Sequence, residues 1–94
     1  MIETKTYEGT KTSLDDFLDD LKKNGRDFIL VQSAISEDPQ EDLIRRDTYL
    51  IDKVAVKVEV RGIKPGKIGV YLRIFGKEIS DVLPLEMSLR NYFC

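Results

Sequence analysis

The sequence predicts an α+β domain: an antiparallel sheet of three to five strands built on a long central hairpin, with one main amphipathic helix packed on one face. Three stretches carry that expectation. Val54, Val56, Val58 and Val60 are apolar while Lys53, Lys57 and Glu59 are charged. After a Gly- and Pro-containing stretch, Ile68, Val70, Leu72 and Ile74 resume the apolar phase, and Tyr71, Arg73 and Phe75 take the other. Side chains alternate faces along a strand, so residues 49–76 read as a hairpin with one apolar face and one charged, partly aromatic face. Leu14, Phe17, Leu18 and Leu21 recur at i, i+3, i+4 and i+7, the spacing of one helical stripe. Residues 28–35 (FILVQSAI) are apolar on both phases, which predicts a central or doubly covered strand.

In chain order, residues 2–8 are Thr-rich and alternate loosely, predicting a short edge strand that Gly9 ends. The helix is expected over about 12–24. Thr12 or Ser13 is its N-cap, and Asp15 or Asp16 reaches back to the cap. Lys22 and Lys23 complement the dipole of its last turn, and Gly25 stops it. Asp38-Pro39-Gln40-Glu41 has the composition of a helix start, so a short helix is read near 39–46, against a polar loop as the alternative. Lys64-Pro65-Gly66-Lys67 suits a type II turn, whose twist fits a two-residue hairpin poorly, so 61–67 is expected to form a longer exposed loop. A fourth short strand is read at 78–83, stopped by Pro84. Leu85, Leu89 and Tyr92 then space a short helix near 85–92.

Ninety-four residues bound the chain to one domain, 1–94. With 41% hydrophobic and 34% charged residues the chain is globular, not disordered. A net charge of -2 gives no whole-molecule pull toward nucleic acid or anionic lipid. The charge is nonetheless segregated. Residues 1–60 hold nine Lys/Arg against fourteen Asp/Glu, whereas residues 61–94 hold six against three. The lone Cys94 can form no internal disulfide, and no apolar run approaches membrane-spanning or signal-peptide length. Both observations point to a cytoplasmic protein. Scarce Asn, Gln, Met and Cys beside plentiful Ile, Val, Lys and Glu lean toward a thermophile.

Catalysis finds little to work with. The chain has no His, so the commonest general base and metal ligand is missing. One Cys cannot build a thiolate zinc site or a Cys–His pair. Gly66-Lys67 is not the end of a phosphate loop, because Ile68 stands where a Ser or Thr must bind magnesium and Arg61 where the first Gly belongs. The pairs Asp15/Asp19 and Asp16/Asp20 have i,i+4 spacing and could hold a divalent cation, but a solvated acidic face accounts for them as well. Glu37, Asp38, Glu41 and Asp42 lack the ligand order and central Gly of a calcium loop. No catalytic residue, cofactor or metal is therefore assigned, and the chain is read as no enzyme.

The sharper signal is the outer face of the hairpin. Its candidate contact residues are Lys53, Lys57, Arg61, Lys64, Lys67, Tyr71, Arg73, Phe75 and Lys77, with Arg45 and Arg46 as extensions. Exposed Tyr, Phe and Arg are the composition of interface hot spots. A hairpin with an unpaired edge can pair with a copy of itself. The expected function is thus a non-catalytic intracellular binding module acting through protein contacts, as a homodimer. The alternative is nucleic acid: cations track phosphates and rings stack on bases. The bland reading is that residues 85–93 fold back over this face and make Tyr71 and Phe75 a second core layer.

Overall fold

Alternation and turn chemistry yield an antiparallel meander flanked by two helices. The computed structural model describes residues 1–35, 43–64 and 67–94. The elements are β1 (Ile2–Glu3), β2 (Tyr7–Gly9), α1 (Lys11–Lys23), β3 (Phe28–Ile35), β4 (Leu43–Ile51), β5 (Val54–Lys64), β6 (Lys67–Gly76) and α2 (Ile79–Leu89). The six strands form one sheet in the order β1-β6-β5-β4-β3, with β2 also on β6. Every pairing is antiparallel. The strand expected over 2–8 is two short strands, which explains part of the excess over three to five.

The hairpin differs in its limits. Tyr49, Leu50 and Ile51 belong to β4, and a tight turn at Asp52-Lys53 separates them from β5. Asp52 has φ 54, in the left-handed region that Asp tolerates. β5 and β6 then pair from Ala55↔Phe75 out to Lys64↔Lys67, so most of the expected 61–67 loop is strand. Residues 65–66 at its tip lie outside the described residues.

α1 begins earlier than its first leucine suggests. Thr10 is the N-cap: its hydroxyl accepts from the Ser13 N–H at 3.1 Å, and Ser13 Oγ accepts from the Thr10 N–H at 3.2 Å. The reach-back expected of Asp15 or Asp16 is made by a serine. Leu14, Phe17 and Leu21 face inward as the periodicity requires, and Gly25 follows the helix at φ 71.

The expected strand at 78–83 is instead the first part of α2. Val82, Leu85 and Leu89 form its buried face, and Pro84 sits inside the helix on its exposed side. The core collects Leu14, Phe17 and Leu21 of α1, Val82, Leu85 and Leu89 of α2, and Phe93. All of them lie over Val54, Val56, Val58, Val70, Leu72 and Ile74. Burying each such side chain is worth about 1.5–3 kcal/mol. Both helices therefore cover the same face. The bland reading is overturned: residues 85–93 do not roof the outer face, because α2 and Phe93 are spent on the core side.

The two ends of the described chain are clasped. Glu8 and Cys94 exchange backbone hydrogen bonds of 3.1 and 3.0 Å. Tyr7 Oη donates to Glu86 Oε2 at 2.6 Å and accepts from Arg90 Nε at 3.3 Å, tying β2 to α2. Gly9 lets Phe93 come close; a Cβ there would meet the ring at 2.6 Å.

β3 contradicts its expectation most sharply. Among the described residues it is an edge strand, paired with β4 alone, not a central one. The short helix read near 39–46 is also corrected in its described part, since residues 43–46 are strand. Its start at 38–42 lies outside the described residues.

Candidate interaction surfaces

The outer face of the sheet is built by register. Across β4, β5 and β6 the rows are Leu50–Ala55–Phe75, Thr48–Lys57–Arg73 and Arg46–Glu59–Tyr71. Ile29 and Gln32 of β3 continue the first two. Among the described residues no helix covers this face. It brings together five of the candidate residues, Lys57, Arg61, Tyr71, Arg73 and Phe75. Lys53 and Lys77 lie elsewhere, lining a hollow of about 420 Å³ with Glu78 and Asp81 beside the start of α2. The side chains of Lys64 and Lys67 lie outside the described residues.

The cations of the outer face are largely answered from within. Arg61 Nη2 donates to Glu59 Oε2 at 2.7 Å, and Arg46 Nη2 lies 3.8 Å from the same oxygen. Arg73 Nη1 donates to Glu3 Oε1 at 2.8 Å, reaching a strand seventy residues away. Lys57 Nζ and Arg73 Cζ stand 4.9 and 5.5 Å from the Phe75 ring centre, the geometry of a cation–π contact. The face is an alternation of charge and ring, not a basic track.

The second surface is β3 itself, which sequence reasoning placed in the core. Ile29, Leu30, Val31 and Ile35 are 64%, 43%, 49% and 72% exposed. Six of the eleven large apolar side chains exposed among the described residues lie on β3 and β4. The strand carries no charged residue, although β1, β2, β4, β5 and β6 each carry at least one. That absence was the readable signal. Proteins usually protect a free edge with charge, proline, shortness or a bulge. β3 has a bulge between Leu30 and Gln32. The opposite edge is made of β1 and β2, two and three residues long, each with a glutamate.

On the helix side β3 is held by a polar cluster. Asp47, 5% exposed, accepts from Ser33 Oγ at 2.6 Å and Arg45 Nε at 2.9 Å. The Asp47 hydrogen bond, and then its charge, raises the Arg45 pKa. Tyr49 is raised above its ordinary value near 10, mainly by burial and then by Asp47. Every buried side-chain polar atom among the described residues has a hydrogen-bond partner.

A third apolar strip, Ile79, Leu83 and Met87, runs along the exposed side of α2. Asp16, Asp19, Asp20, Lys23 and Tyr92 line a shallow groove between α1 and the end of the chain. Among the described residues no three His, Cys, Asp or Glu side chains are placed to share a metal ion, and no helix is long and apolar enough to cross a membrane. No protein-family model matches the chain, and no curated protein or solved structure matches it either.

Proposed function

We propose that this chain is a non-catalytic binding module that works through protein contacts, with β3 as its contact element. One observation carries the reading: an eight-residue edge strand, apolar on both faces and free of charge, with one row of backbone N–H and C=O groups that no strand among the described residues pairs. Such an edge takes another strand by main-chain hydrogen bonding, with side-chain burial on both faces adding affinity. Surfaces of this kind aggregate unless a partner occupies them.

Amide hydrogen exchange on the full chain tests it. The probe is a synthetic, uncharged Val/Thr strand peptide. Strand addition predicts new protection confined to residues 28–35, either with the peptide or on raising the protein concentration. Exchange at β3 that neither condition slows would overturn the reading.

The second reading is single-stranded nucleic acid on the outer face. Tyr71 and Phe75 beside Lys57 and Arg73 favour it, since rings and cations alternate there. Glu3 and Glu59 weigh against it, because phosphates would have to displace them from three arginines.

A further inference from the structure

We infer that the strand added at β3 is β3 of a second copy, antiparallel about a two-fold axis, so that two sheets join into one. This rests on the strand-addition reading above and names its partner.

Complementarity selects the second copy as the partner. A strand that fits this edge must be apolar on both faces, because Ile29 stands exposed on the outer face and Leu30 and Ile35 on the helix side. It must also lack charge opposite Phe28 to Gln32, where the existing neighbour β4 sets only Ile51, Leu50, Tyr49 and Thr48. Among the described strands one sequence meets both conditions, FILVQSAI itself. An antiparallel pair of identical strands is self-complementary about a two-fold axis, and such a contact closes at two copies. The other edge cannot compete, because β1 and β2 offer five residues in two pieces.

The rest of the molecule permits this arrangement. With the axis perpendicular to the sheet, both outer faces lie on one side and both helix pairs on the other. With the two strands paired over their full length, Ile29 at the end of the row Phe75–Ala55–Leu50–Ile29 stands opposite Ala34 of the second copy on the joined outer face.

Sedimentation velocity on the full chain, from micromolar to millimolar concentration, tests the inference. The variants are Val31→Lys and Ile35→Lys on the edge, and Leu83→Lys on the exposed strip of α2 as control. All three sites are solvent-exposed, and circular dichroism melts check that each variant folds. The expected result is a wild type of two chain masses. Each edge variant falls to one mass with an unchanged melt at low concentration, and Leu83→Lys stays at two. A wild type that remains at one mass throughout overturns the two-fold pairing, while peptide-induced protection at β3 would still uphold strand addition. A two-mass species abolished by Leu83→Lys but kept by both edge variants also overturns it, and places the contact on α2. Edge variants that unfold are replaced by Ile35→Thr, whose expected effect is a dissociation constant at least tenfold weaker; an unchanged constant counts against the inference.

Discussion

Ser33 Oγ donates to Asp47 Oδ1 at 2.6 Å across the β3–β4 pair, and this bond, together with the edge-on contact of Phe28 with Tyr49, fixes the register of the strand. The bulge between Leu30 and Gln32 brings Ser33 onto the helix side opposite Asp47. A one-residue slip would present Gln32 or Ala34 there instead. Ser33→Ala leaves a buried carboxylate with one donor fewer. The expected loss is about 1–3 kcal/mol, read as a lower urea midpoint with unchanged slope. An exposed serine such as Ser80, changed the same way, is expected to stay within about 0.5 kcal/mol.

Gly9 marks the tightest approach between the two ends of the described chain. An added Cβ lies 2.6 and 2.7 Å from two Phe93 ring carbons and 3.1 Å from Ser13 Cβ. Gly9→Ala therefore forces the Phe93 ring out of the core, at a cost of about 1–3 kcal/mol. Thermal melts of Gly9→Ala, Phe93→Leu and the double variant form a cycle. The double variant is expected to be more stable than the sum of the two losses, because the smaller side chain removes the clash.

Tyr49 gives the alkaline limb a molecular origin. Burial, and then Asp47, favours the neutral phenol in the folded state, so its folded pKa lies above its unfolded value near 10. The stabilisation is fully present below that unfolded value and is lost as pH rises through the higher folded one. Melting temperature is therefore expected to fall with rising pH above about 10, and Tyr49→Phe should flatten that fall without changing the neutral-pH ordering of the curve. Equal slopes in both proteins would remove Tyr49 from the account.

The two functional readings part on salt. If β3 is the working surface, a fluorescent single-stranded oligonucleotide shows no binding at moderate salt, because Glu3 and Glu59 hold the arginines of the outer face. Anisotropy that rises at low salt, collapses roughly as a power of salt concentration, and fails in Lys57→Ala and Tyr71→Ala would install the nucleic-acid reading instead.

Where sequence and structure agree, the physics is local. The stripe Leu14, Phe17, Leu21 and the alternation through Val54–Val58 and Val70–Ile74 report which side faces the core, and both hold. The departures arise from decisions taken at a distance. An apolar pattern on both phases of 28–35 states that two faces want cover, not that the same chain supplies it. Pro84 made 78–83 look like a strand's end, yet the inward spacing of Val82, Leu85 and Leu89 overrode the missing N–H. The outer face looked basic because its counter-charge Glu3 comes from a strand seventy residues earlier. Tyr71, Arg73, Phe75, Lys57 and Arg61 were legible as a shared face because period two alone decides it. Lys53 and Lys77 sit past the strand ends, where period two no longer applies.

The placement of β1 and β2 on β6 has a consequence for synthesis. Residues 2–9 find their partners only after residues 70–76 have left the ribosome. The meander from β3 to β6, in contrast, can zip as each neighbour emerges. A nascent chain thus presents its bare β3 edge beside a growing sheet well before its own first strands can dock.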